Sequence, residues 1–283
     1  MGNDVEIVIE PNRRWFRLPW RELIEYRDLL FVMVSRDFTA RYKQTVLGPL
    51  WFLLQPLVTT FVFTLVFNRL ARLPTDGVPP MLFYLCGNIA WGYFSGCFGQ
   101  TATTFTSNAG LFGKVYFPRL VVPISKTVSA LFNVGLQLVT FAALWIYFKF
   151  FTAAGAAIAL RPAALLLPLV VVQMAALAMG AGLLMSSLTA KYRDFAFVTG
   201  FLTQIWFYAT PVIYPVSMMA RRWQYLSAVN PMSGIVEVFR YALLGTGTVQ
   251  PVFLAVSVGS TVLLLLAGVL AFNRTERTFI DTV

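Results

Sequence analysis

The sequence predicts an all-α polytopic membrane protein. It would have six transmembrane helices, an N-terminal amphipathic interface helix, and short re-entrant helices between spans five and six. Three observations predict this class. Charged residues make up 12% of the 283 positions and hydrophobic residues 58%, whereas a soluble domain carries about 25% charge. So few charges cannot cover a water-facing surface. Six stretches (44–68, 77–113, 127–148, 162–190, 195–220 and 241–273) run uncharged for the roughly 20 residues that a span requires. Lys and Arg are also distributed asymmetrically. With both termini cytoplasmic, fifteen basic residues fall inside and seven outside, as the positive-inside rule demands. The net charge of +10 is then a topology signal, and nucleic acid is not an expected partner.

This divides the chain into a cytoplasmic segment (1–48), a six-span domain (49–273) and a cytoplasmic tail (274–283). Residues 1–19 receive no role, and no cleavable signal is expected, because the first 40 residues are charged without a short apolar core. Over 20–42, Leu23, Ile24, Leu30, Phe31, Val34 and Phe38 recur at helical spacing among charged residues. That pattern predicts a helix lying at the cytoplasmic membrane surface; a helix packed on a partner protein fits it too. Gly48-Pro49 breaks the chain before span one. The second uncharged stretch opens with Pro79-Pro80 and ends in a polar run at 101–108, which predicts one span near 81–105. Gly92 and Gly96, four apart on it, predict a close helix–helix approach. Cys86 and Cys97 lie on that same helix about 16 Å apart, too far for an intrachain disulfide, and are expected to pack. A cytoplasmic loop follows at 108–118. Spans three and four are rich in Leu, Val and Ala and otherwise plain, and a short cytoplasmic turn, 191–194, joins the fourth to the fifth.

The segment after span five is unusual. Pro211 and Pro215 should stop a helix. Asn230 and Pro231 read as N-cap and first-turn proline, and Gly245 as a C-cap. The enclosed helix of about 14 residues reaches only about 21 Å, short of a roughly 30 Å hydrocarbon core. Glu237 and Arg240 are spaced to pair on it. Pro211, Tyr214, Pro215, Trp223, Asn230 and Pro231 therefore outline a re-entrant outer gate; an ordinary extracellular loop helix fits equally well.

Little in the sequence suits catalysis. With no His and two Cys, His-based triads and zinc sites lack ligands, and no metal site is expected. The acidic residues fall outside the expected spans, which argues against an intramembrane proton relay. Gly113-Lys114 superficially matches a phosphate-binding loop, but Asn108 stands where its first Gly should be and Val115 where its Ser/Thr should be. Any ATP must bind another polypeptide. Carbohydrates present apolar C–H faces to aromatic rings and hydroxyls to amides. Spans one and five offer that mixture in Trp51, Gln55, Thr59 and Thr60 and in Gln204, Trp206, Tyr208 and Thr210. These could line a substrate path, or belong to the aromatic belt common at membrane interfaces.

One resemblance covers the chain from about residue 20 to its end. Arg41-Tyr-Lys-Gln-Thr-Val-Leu-Gly-Pro-Leu-Trp51 with Gln55-Pro56 resembles the signature of type 2 ABC exporter permeases. The class it resembles most exports lipid-linked polysaccharide such as O-antigen, capsule-like glycan or teichoic acid. The stretches 108–119, 191–195 and 210–215, and Asn230-Pro231, agree in order and spacing. The resemblance implies a homodimer in the bacterial inner membrane, both termini cytoplasmic, exporting a lipid-linked glycan. Two copies of an ABC ATPase subunit would lie beneath it and carry the ATP and Mg, with no cofactor on this chain. Membrane lipids would be further partners. It also implies that Arg36, Asp37, Arg41, Lys114, Arg119, Arg193 and Asp194 face the ATPase subunit or the lipid headgroups. Anchoring by headgroup contact explains the basic ones too; Asp194 could instead cap a helix or pair with Arg193. Alternatives are a type 2 exporter of a drug or small lipophile, a polytopic membrane transferase, or a scaffold without a transport path.

Overall fold

The computed structural model describes residues 20–42, 48 and 50–279. Residues 1–19, 43–47, 49 and 280–283, which include part of the 41–51 signature and the end of the tail, lie outside it. All regular structure among the described residues is helical. Helices α1 (Trp20–Glu25) and α2 (Arg27–Tyr42) are parted only by Tyr26. Helix α3 (Leu50–Phe63) contains Pro56 and continues into a wider π-helical turn, Thr64–Leu70. Then come α4 (Pro80–Ala102), α5 (Thr104–Phe112), α6 (Val121–Phe151), α7 (Leu167–Lys191), α8 (Phe195–Ala209), α9 (Arg221–Val229), α10 (Pro231–Leu244) and α11 (Pro251–Phe279). Residues 108–112, expected in a loop, are the end of α5.

Among the described residues, four helical stretches are long and apolar enough to cross a membrane: Leu53–Leu70, Val121–Phe151, Pro162–Lys191 and Pro251–Thr278. Two of the six expected spans thus fall short by composition or length, for different reasons. Helix α4 has the length, at 23 residues, but carries Asn88, Gln100 and four glycines. It packs against α3, α6, α7, α8 and α10, and a helix surrounded by protein need not show lipid an apolar surface. Helix α8 stops after 15 residues, two before Pro211.

Hydrogen bonds and ion pairs sort the connections into two ends. At one end Lys126 at the start of α6 meets Asp37 of α2, Arg119 meets Glu276 near the end of α11, and Thr189 of α7 donates to the Ala102 carbonyl of α4. At the other, Ser217 donates to Asp76, and the Ala159 and Arg161 amides donate to the carbonyls of Leu244 and Ala242. The loops assigned by charge to one side do gather at one end.

The core has two parts. The larger centres on α4, where Leu82, Phe83, Phe94 and Phe98 pack with Met174 and Leu177 of α7 and Met232, Ile235 and Phe239 of α10. The smaller joins Phe105, Phe112, Leu183 and Phe272 to Met33 of α2. Cys86 and Cys97 are buried in the larger part and not joined in a disulfide, as their spacing required. Helix α2 uses Met33 and Asp37 as its buried face while Phe31, Val32 and Phe38 stay exposed.

The close approach expected at Gly92 and Gly96 is not made within the chain: a Cβ on either would meet nothing within 4 Å. It is made instead on α7. A Cβ on Gly180 would lie 2.5 Å from the Leu265 nitrogen of α11, and one on Gly182 would lie 2.5 Å from the Thr101 Cβ of α4. A Cβ on Gly268 would collide with the Gly180 carbonyl. The plain fourth span is therefore the one that two neighbours press against.

Candidate functional site

A cleft of about 570 Å³ opens between α3, α4, α6 and α8. Helix α3 contributes Gln55, Thr59 and Phe63, and α8 contributes Thr203, Gln204 and Phe207. Helix α4 adds Asn88, Trp91, Tyr93 and Gln100, and α6 adds Asn133 and Gln137. Gly92, Gly96 and Gly200 also line it, so the missing side chains widen the space. Amides, hydroxyls and aromatic faces dominate the wall, and none of the lining residues carries a formal charge. Such a surface can stack sugar rings and exchange hydrogen bonds with their hydroxyls without the desolvation cost of a buried charge.

Of the eight residues expected to line a path, the structure brings Gln55, Thr59 and Gln204 together here, while Thr60 and Thr210 are buried. Trp51 and Tyr208 are half-exposed elsewhere on α3 and α8. Trp206 turns inward: its ring meets Phe94 and Phe98 of α4, and its Nε1 donates to Asn230 Oδ1 at 2.8 Å. The sequence reading missed Asn88, Gln100, Asn133 and Gln137. The signal was available, since a polar side chain inside an uncharged stretch is costly unless it faces protein or water, and Asn133 and Gln137 are one helical turn apart.

Helix α8, which lines the cleft through Gln204 and Phe207, leads into the segment 210–250. Asn230 caps α10 by accepting from the Met232 amide at 3.0 Å, and it donates to Thr210 Oγ1 at 2.9 Å and to the Ala209 carbonyl at 3.2 Å. With the Trp206 bond, three bonds fasten the start of α10 to the end of α8. Replacing Asn230 by Ala removes the cap and strands the Trp206 N–H, a loss of about 3 kcal/mol. The melting temperature in detergent should fall by about 6 °C, with Asn230→Asp losing less because both acceptor contacts survive. An Ala variant that melts with the wild type would refute this role. Gly245 ends α10 at φ +80°, a left-handed C-cap. Pro211, Pro215 and Pro231 are buried, while Tyr214, Trp223 and Asn230 border an apolar hollow of about 340 Å³. Glu237 and Arg240 do pair, at 3.2 Å.

At the opposite end the residues expected to face a partner divide. Lys114, Arg193 and Asp194 are exposed, as are their neighbours Tyr116 and Tyr192. Asp194 makes no side-chain cap to α8. Asp37 and Arg119 instead turn inward. Asp37 is buried between Arg36 at 3.2 Å and Lys126 at 2.7 Å. Arg119 donates to the Glu276 carbonyl at 3.0 Å and lies over the Phe112 ring. Burial pulls its guanidinium below the ordinary value, while the Glu276 carboxylate opposes that shift. These two brace α2 and the 113–120 loop against the bundle. Lys126 and Glu276, their partners, were not singled out by the sequence. Of Arg41 only the backbone, at the end of α2, is described.

Residues 28–244 match the family described as ABC-2 type transporter. The chain is also similar to the O-antigen export system permease protein RfbA of Myxococcus xanthus, at 30% identity over 226 residues, which cover 78% of this chain and 82% of that one. Two proteins of the same name from Klebsiella pneumoniae match at 23% and 24% identity, each over 90% of this chain and 94% of their own length.

Proposed function

The chain belongs to the ABC-2 type transporter family, and from that premise we propose that it is the permease subunit of an ABC transporter that exports a lipid-linked, O-antigen-like polysaccharide. The observation that carries the reading is the uncharged cleft walled by amides, hydroxyls and aromatic rings. The matched relatives, each called an O-antigen export permease, point the same way.

In this reading α4 and α8 join the four long apolar helices to make six spans in the bacterial inner membrane, with both termini cytoplasmic. Two copies of the chain form the path, and two copies of a separate ABC ATPase subunit supply ATP and Mg chemistry from the cytoplasmic side. Helices α1 and α2 lie at the membrane interface. The exposed Arg36, Lys114, Arg193 and Asp194, with Arg41, meet the ATPase subunit or headgroups, and Asp37 and Arg119 hold those elements in register. Gln55, Thr59 and Gln204 line the path, with Trp51, Trp206 and Tyr208 flanking it. Helices α9 and α10 dip in from the outer side as a re-entrant gate. This suits backbone that can leave helical geometry at membrane depth only beside protein or a water-filled cavity.

Depleting the chain from its host tests the function. Surface glycan should fall at least about ten-fold and its lipid-linked precursor should accumulate on the cytoplasmic face, because no other route crosses roughly 30 Å of hydrocarbon. Both should be reversed by a plasmid copy. Surface glycan undiminished after depletion would reject the assignment.

A further inference from the structure

Arg240 is the largest fully buried side chain among the described residues, at 1% exposure. Its Nη2 donates to the Val212 carbonyl at 2.7 Å, and its Nη1 is 3.2 Å from Glu237 Oε1 and 3.4 Å from the Tyr214 carbonyl. The guanidinium lies over the Phe83 ring of α4, 3.7 Å from its centroid. Glu237 uses its other oxygen to accept from the Thr248 amide at 2.6 Å. One ion pair on α10 therefore grips the chain on both sides of that helix, before it through 212 and 214 and after it through 248.

Three features say that the grip has a purpose beyond stability. A buried ion pair contributes little net stability, because desolvation offsets the attraction. The carbonyls it holds lie between Pro211 and Pro215, where no continuing helix can satisfy them, so the guanidinium supplies the missing donors. Arg240 Nε has no hydrogen-bond partner, so the side chain is not fully satisfied in this arrangement. The space for it is also built in. A Cβ on Gly87 of α4 would stand 3.2 Å from Arg240 Nη2 and equally close to the Val212 carbonyl.

We propose that Glu237 and Arg240 are positioning residues forming a clasp that holds the 210–250 segment shut. Opening for the glycan releases the Val212 and Tyr214 carbonyls from Arg240. The clasp rests on the reading of this segment as the outer gate, and the closing experiment separates the two.

The chain and its ATPase subunit are reconstituted in liposomes loaded with sucrose, and sucrose release is followed without ATP. Arg240→Lys keeps the charge but cannot fork to two carbonyls, Glu237→Gln removes the ion pair, and Gly87→Ala crowds it. Each should speed release about ten-fold, the shift expected when a closed state loses one such contact. A purely structural ion pair would lower the melting temperature without producing a leak. If Arg240→Lys fails to insert, the other two decide.

A Tyr214→Cys variant tests the gate in parallel. Cys86 and Cys97 are both buried, so the introduced thiol is the accessible one. Cross-linking it between two copies should block glycan export until reduced. Sucrose release unchanged in the clasp variants, with the cross-link still blocking export, overturns the clasp and leaves the gate. Normal export through the cross-linked protein overturns both.

Discussion

Replacing Gly96 with leucine is expected to cut glycan export about ten-fold, which corresponds to roughly 1.4 kcal/mol on the rate-limiting step. The chain's abundance and melting temperature should stay unchanged. Gly96 and Gly92 face the cleft, and a Cβ on either meets nothing within 4 Å, so the new side chain enters empty space. Leucine also favours a helix over glycine by about 0.8 kcal/mol, so the fold has no reason to suffer. What the substitution removes is room beside Trp91, Gln100 and Gln204. Gly92→Leu should act alike. The measurement pairs surface glycan with membrane-fraction protein. Full export from both variants would show that the polymer does not pass here, and the proposed path would have to be moved.

The same substitution at Gly180 should have the opposite consequence: the protein should fail to accumulate, falling at least ten-fold in the membrane fraction. Forcing atoms into a packed contact costs about 3 kcal/mol or more when the neighbour cannot yield. Here the neighbour is the backbone of α11, with the Leu265 nitrogen 2.5 Å and its Cα 2.6 Å from the position of an added Cβ. Even Gly180→Ala should lower the melting temperature clearly. Gly268→Ala, on the facing helix, should do likewise, because its Cβ would strike the Gly180 carbonyl. Wild-type abundance for Gly180→Leu would mean that α7 and α11 are free to separate.

These two glycines show how far the sequence carries. Gly92 and Gly96 have the spacing of a helix–helix contact and instead border a cleft; Gly180 sits in a stretch with nothing to distinguish it and lies against the backbone of α11. Spacing states that small residues share a face. It does not state what that face meets. The amides divide in the same way. Gln55, Thr59 and Gln204 were legible as cleft residues because Trp51, Trp206 and Tyr208 accompany them, whereas Asn133 and Gln137 have no Trp or Tyr close by in sequence. The segment 210–250 was more legible. The prolines, the Asn230 cap, the Gly245 cap and the Glu237–Arg240 pairing all lie where local rules put them, because each is a contact over a few residues.

The sequence by itself determined the helical class, the membrane setting and the caps of α10. These follow from composition, charge distribution and short-range backbone chemistry, which need no knowledge of neighbours. Only the tertiary structure decided that α4 is the central helix, that Trp206 turns inward to Asn230, and that Asp37 and Arg119 are spent on Lys126 and Glu276. The physical reason is distance along the chain. Asp37 and Lys126 are 89 positions apart in sequence and 2.7 Å apart in space, and no periodicity in either helix encodes which helix the other will meet.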